Sequence, residues 1–143
     1  MSELSVFLKK NKQERKNAFF PATKNFVDKN GDPIMWEVRP LTTSENERIQ
    51  AECTKEVPVP GKKGMFRSKT DTQMYLTKLM VAAIVFPDLY NKELQDSYGV
   101  MTPEDLLKEL IDNPAEFNDF REFIVEQSGF DKDLNEEIEE AKN

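Results

Sequence analysis

Apolar residues recur with helical spacing through the second half of this chain, and with strand spacing over one short stretch near its beginning. The densest apolar pattern is DTQMYLTKLMVAAIVFPDL, residues 71–89. Leu76, Leu79, Met80, Ala83 and Ile84 fall on one stripe of a helix, and by MVAAIVF no polar face is left. A helix end that is apolar all round must be buried. Pro87 stops the run, because proline cannot donate the next helical hydrogen bond and restricts the residue before it. The apolar part includes Lys78 and falls short of the roughly 20 residues a membrane span needs. The pattern predicts a central core helix; a sticky face for another protein is the sharper alternative.

Upstream, Ser2 caps an expected short helix carrying Leu4, Phe7 and Leu8, followed by the basic run Lys9, Lys10, Lys12, Arg15 and Lys16. Phe19-Phe20-Pro21 ends it. A hairpin signal comes next: Phe26-Val27-Asp28, then Lys29-Asn30-Gly31-Asp32, then residues 34–38. Asn-Gly favours a type I′ turn. Ile34, Trp36 and Val38 alternate with Met35, Glu37 and Arg39, which predicts one face against the core. Asp28, Asn30 and Asp32 are spaced like calcium ligands, but Gly31 is fourth where an EF-hand needs its glycine sixth, so the stretch reads as a turn. Ser44 with Glu47 forms a capping-box pattern for a helix reaching about Glu56, with Ile49 and Cys53 inward. VPVPGKKGMFRSKT, residues 57–70, reads as a basic linker; no strand precedes its GKKG, and the phosphate-loop pattern is absent.

Downstream, residues 90–99 read as a polar connector containing Leu94 and Tyr98. Thr102-Pro103-Glu104-Asp105 then places a hydroxyl at a helix cap, proline at the first helical position and acids in the first turn. Leu106, Leu107, Leu110 and Ile111 give that helix its apolar side. Asn113-Pro114-Ala115-Glu116 starts another, with Phe117, Phe120, Phe123 and Ile124 inward and Ser128-Gly129 as its C-terminal cap. The final DKDLNEEIEEAKN carries Leu134, Ile138 and Ala141 on one stripe among six acids, a thin amphipathic helix.

Charge and composition narrow the function. The net charge of −7 is uneven: residues 101–143 carry 14 acidic against 4 basic residues. An acidic half disfavours nonspecific contact with DNA or membranes and suggests a basic or amphipathic partner. The single cysteine, Cys53, excludes an internal disulfide framework and suits a reducing cytoplasm. MSELSVFLKKNKQERK does not read as a secretory signal, since its charges follow a very short apolar run. There is no histidine, so Ser-His-Asp and Cys-His arrangements and His-based metal sites are excluded. An enzyme is disfavoured, and no cofactor or metal site is expected. The basic N-terminal run and residues 62–69 leave nucleic acid as a weaker partner class, without a recognised motif. Protein binding remains by elimination.

The order of segments resembles a known family, the XkdN-like tail assembly chaperones of PBSX-type phages and prophages. The resemblance rests on NGDP running into WEVRPLTTSE, the central AAIVFPDL, ELQDSYGVMTPEDLL and the terminal SGFDKDLNEEIEEAKN. It implies a non-enzymatic protein of the bacterial host cytoplasm, absent from the mature virion. Such proteins hold the long, aggregation-prone tape measure protein until tail tube subunits polymerise round it. It also implies a second, longer product made by a programmed frameshift. Ala141-Lys142-Asn143 encoded GCA-AAA-AAC or GCA-AAA-AAT would contain a slippery heptamer, and this chain would be the unshifted form; the alternative is that these three residues are simply a polar terminus.

The resulting expectation is one α+β, predominantly α-helical domain, with a small N-terminal β-hairpin packed on a helical bundle. Residues 1–56 would hold an N-terminal helix, the hairpin and a helix; 57–70 the linker; 71–130 the helical core; 131–143 a detached acidic helix. The expected partner is the tape measure protein, with the tail tube protein and the chain's own longer form as further candidates, and no membrane. The expected contact residues are Leu106, Leu107, Leu110, Ile111, Phe117, Phe120, Ile124, Leu134 and Ile138. A nucleic-acid-associated phage regulator and a structural tail component are the alternatives.

Overall fold

The computed structural model describes residues 3–130. In chain order the elements are β1 (Ala18–Phe20), β2 (Trp36–Val38), α1 (Thr43–Glu52), β3 (Thr54–Pro58), β4 (Phe66–Thr70), α2 (Thr72–Ala83), β5 (Ile84–Phe86), α3 (Lys92–Ser97), α4 (Pro103–Leu110) and α5 (Pro114–Ser128). The class is α+β as expected, with five α-helices and two small antiparallel sheets among the described residues. The expected acidic helix at 131–143 lies outside the described residues.

The chain's centre departs instructively from its pattern. Helix α2 starts where Asp71 accepts a hydrogen bond from the Met74 amide. It stops at Ala83, not at Pro87, because Ile84-Val85-Phe86 leaves the helix and becomes strand β5. Two β-branched residues and a phenylalanine suit an extended, half-buried strand better than a helix end. Strand β2 lies between β1 and β5, antiparallel to both. Ala18, Val38 and Ile84 share the inner face with Phe20 and Trp36, and a register shift at Glu37/Val38 leaves Val85 between the paired residues. The expected alternation holds: Trp36 and Val38 are buried, and Ile34 is half-buried.

This inner face closes on the helices. Phe20 stacks on Phe120 and Phe123, with ring centroids 5.6 and 4.5 Å apart, and Trp36 meets Phe120 edge-on at 5.5 Å. Leu76, Leu79, Met80 and Ala83 of α2 are fully enclosed with Leu106, Leu107, Phe120 and Ile124. Each such aliphatic or aromatic side chain contributes about 1.5–3 kcal/mol by leaving water. Polar clips join the distant ends of the chain. The Arg15 guanidinium donates to the carbonyls of Ser128 (2.7 Å) and Leu41 (2.6 Å), and the Leu41 amide donates to Ser128 Oγ at 3.0 Å. Glu116 accepts from Thr23 Oγ1 at 2.8 Å and the Lys24 amide at 2.9 Å, tying the β1–β2 connection to α5.

Five local expectations are corrected. Residues 3–11 form two short 3-10 turns, Glu3–Phe7 and Lys9–Asn11, and not an α-helix; Leu4 and Phe7 are exposed, so no packing stabilises a longer helix. The Asn-Gly turn is present but is not type I′, since only Gly31 has positive φ (84°). Asp28 Oδ1 accepts from the Asn30 and Asp32 amides, Val27 bridges Pro33, and the strand beyond pairs with β1 and β5 instead. The capping box of α1 sits two residues early, on Thr42 and Glu45. Glu45 there also pairs with Arg39, an ion pair that the Ser44–Glu47 alternative does not form. The supposed linker at 57–70 is largely the β3–β4 hairpin, and the connector at 90–99 contains α3, capped by Asn91. The starts of α4 and α5, at Thr102 and Asn113, and the C-cap at Gly129 (φ 83°) are as expected.

Candidate functional site

The side chains expected to meet a partner are mostly spent inside the domain. Leu106, Leu107, Leu110, Ile111, Phe120 and Ile124 are all buried in the core. They offer no surface in this conformation, because their stripes face α2 and the inner sheet. Phe117 is half-buried; the Arg121 guanidinium lies 5.8 Å from its ring centroid. Leu134 and Ile138 lie outside the described residues. The amphipathic pattern reported burial correctly, but could not say whether the covering surface was the chain's own.

Two other places keep chemistry on the surface. The first is the β3–β4 hairpin, with Thr54 opposite Thr70, Lys55 opposite Lys69, Glu56 opposite Ser68, Val57 opposite Arg67 and Pro58 opposite Phe66. Paired residues share a face and neighbours alternate. One face is therefore self-satisfied: Thr54 and Thr70 hydroxyls lie 2.8 Å apart, and Ser68 Oγ donates to Glu56 at 2.7 Å. The other carries Lys55, Lys69 and Arg67 beside Val57, Val59 and Met65. Like charges directly opposite each other cost stability, so this face is arranged at the hairpin's own expense. It overlooks an open groove of about 650 Å³ lined by Lys55, Val57, Lys69, Asp71, Gln73 and Met74. Lys62 and Lys63 add two cations at the tip, between Gly61 (φ 75°) and Gly64 (φ 81°). The missed signal was Lys-Glu-Val-Pro-Val and Met-Phe-Arg-Ser-Lys flanking a Gly-x-x-Gly tip.

The second place is the end of the three-stranded sheet. Phe19, Glu37 and Phe86 form one row on its outer face, with the two phenylalanines mostly exposed. Beside Phe86 an apolar cavity of about 160 Å³ opens between Phe26, Ile34, Trp36, Pro87, Leu94, Tyr98 and Leu110.

Electrostatics adds little reactive chemistry. The Arg39 guanidinium, hydrogen-bonded to Glu45, holds that carboxyl down at about 2, from an ordinary 4.5; the Thr42 cap helps. Burial pushes the Cys53 thiol up, away from the thiolate a nucleophile needs. Among the described residues, no three or more Cys, Asp or Glu side chains are grouped to hold a metal ion, and no helix is long and apolar enough to cross a membrane.

Known proteins are similar to this chain over nearly its whole length. The phage-like element PBSX protein XkdN of Bacillus subtilis (strain 168) is 30% identical over 142 residues, covering 99% of this chain and 94% of that protein. YqbN of the same organism is 28% identical over 141 residues, covering 99% and 93%. The crystal structure of YqbN superposes with a TM-score of 0.74 over 92% of this chain and 99% of that one, at 22% identity, which establishes the shared fold. The model of the phage XkdN-like tail assembly chaperone family matches residues 4–142. With nearly every residue inside that match, the chain belongs to the XkdN-like phage tail assembly chaperones.

Proposed function

We propose that this tail assembly chaperone acts, without catalysis, by binding the phage tape measure protein and keeping it soluble in the host cytoplasm until tail tube subunits assemble round it. The observation that carries the reading is family membership across residues 4–142. The β3–β4 hairpin supplies a surface suited to the task. Its outward cations and Val57, Val59 and Met65 can receive an amphipathic helix bearing acidic residues, each apolar contact flanked by a charge. With the aliphatic stripes of α4 and α5 buried, the hairpin replaces them as the client-binding element. The tail tube protein and a frameshifted longer form of the chain are further partners under the same reading.

Co-expression with the tape measure protein of the same phage tests it. The tape measure protein should stay soluble and co-purify, and the chaperone should be missing from finished tails. Lys55→Glu/Arg67→Glu/Lys69→Glu should keep the domain folded and lose the co-purification. A tape measure protein left insoluble and unbound by the wild-type chain would sink the proposal.

A further inference from the structure

The 160 Å³ cavity beside β5 and the exposed N-terminal segment pose one question together. The cavity wall is almost wholly carbon: Phe26, Ile34, Trp36, Phe86, Leu94 and Leu110 contribute to it. An apolar cavity of roughly 150 Å³ accepts a benzene ring. Residues 3–11 meanwhile hold an apolar knob in a defined shape. The Leu8 amide donates to the Ser5 carbonyl at 3.3 Å, and the Asn11 side chain donates to the same carbonyl at 2.6 Å. On that scaffold Phe7 is 82% exposed and Leu4 79% exposed. Burying one such ring strengthens an association by about tenfold or more. A large aromatic displayed on a short, hydrogen-bonded turn is therefore an unspent anchor.

Charge matches the knob to the cavity. Lys9, Lys10 and Lys12 follow the knob directly. The cavity is bordered in the chain by the exposed acids Asp88 after Pro87, Glu93 before Leu94 and Asp112 after Leu110 and Ile111, while the nearby Lys92 is already paired with Asp96 at 3.0 Å. Its own copy does not fill it: Phe7 stays exposed. The N-terminal segment also enters the sheet at the Ala18–Val38 end, whereas the cavity sits at the Trp36 end.

We infer that Phe7 of one copy of this chain inserts into the cavity formed by Trp36, Phe86 and Leu94 of a second copy. The contact is heterologous: the knob and cavity are different patches, so each bound copy still offers one of each. Repetition gives a ring or an open row. A row of copies matches a long client better than separate copies would, but the contact rests on this chain alone and stands apart from the client reading.

Trp36 is the chain's single tryptophan and sits in the cavity wall, so its emission reports occupancy. In sedimentation the full chain should associate with rising concentration, and the Trp36 emission should change with it. Phe7→Asp, at an exposed site, should stay folded and weaken association at least about tenfold. A synthetic peptide of residues 1–12 added to the Phe7→Asp chain should restore the emission change. Leu94→Trp, which fills the cavity, should not self-associate beyond a dimer when mixed with Phe7→Asp, because only one knob and one cavity remain between them. A wild-type chain that stays monomeric to millimolar concentration overturns the inference. So does a Phe7→Asp chain that associates like wild type, which would place the contact elsewhere. If emission differs between wild type and Phe7→Asp when both are monomeric, Phe7 docks in its own copy and the second-copy contact is excluded. Indifference of Trp36 to the peptide excludes the cavity itself.

Discussion

The two sheets of this molecule use similar residues for opposite ends. Strands β1, β2 and β5 turn one face onto α2 and α5, and Trp36 and Val38 on the middle strand lose almost all contact with water. Strands β3 and β4 pair just as regularly, yet nearly every side chain they carry is exposed or half-exposed. The first sheet is stabilised by burial. The second is held by its backbone ladder and the Thr54–Thr70 and Ser68–Glu56 bonds, and it sets Lys55 against Lys69. Where one face of a regular pairing holds the ladder and the other sets like charges together, that second face is free to be shaped by a partner.

Substitutions should separate the two sheets sharply. The largest effect is expected at the first sheet's helical cover. Val81→Asp puts a charge into the core and should abolish cooperative unfolding, while Phe120→Ala should cost about 3–5 kcal/mol in chemical denaturation. Equal losses from Met65→Ala or Phe66→Ala in the hairpin would erase the distinction, since those should stay within about 0.5 kcal/mol.

A middle effect is expected at Arg39 and Glu45, beside the first sheet. Glu45 is held near 2 in the folded chain, below its ordinary 4.5, so its contribution is complete above pH 4.5 and disappears as pH falls toward 2. Glu45→Gln should flatten that part of a stability-versus-pH curve, removing about 1–2 kcal/mol at neutral pH; partial exposure of Arg39 keeps it below the full linkage value. An unchanged acid limb would assign the loss to other carboxylates.

The smallest effect should have an unusual sign. Lys69→Glu, which turns a cation–cation pair with Lys55 into an attractive one, should stabilise the hairpin by a few tenths of a kcal/mol while weakening client binding. A stabilised variant that binds as well as wild type would show the cationic face to be incidental.

The chain's own residues disclosed the helical half well, since the caps at Thr102 and Asn113 and the apolar positions of α4 and α5 are local signals. They misled where a tertiary partner decides. Ile84-Val85-Phe86 continues a helical pattern and is pulled out as a strand because β2 offers it a free edge. Thr42 outcompetes Ser44 as a cap because Arg39, three residues upstream, holds Glu45. The hairpin escaped notice because its apolar residues are few and its prolines and glycines dominate. A contact surface is hard to read for a simpler reason: a buried stripe and a binding stripe have the same period. Leu106 and Phe120 were readable as apolar and inward, but not as already covered.

The Arg15 clip has a consequence for when the two halves of this protein join. It joins residues 113 positions apart, so Arg15 and the Leu41 amide have no Ser128 to hold until α5 has been synthesised. Closing so long a loop must wait for the far end of the chain, however early α1 and the hairpin form. On the ribosome these bonds thus form only once α5 has been made, so the N-terminal half waits for the C-terminal half before the two are clipped together.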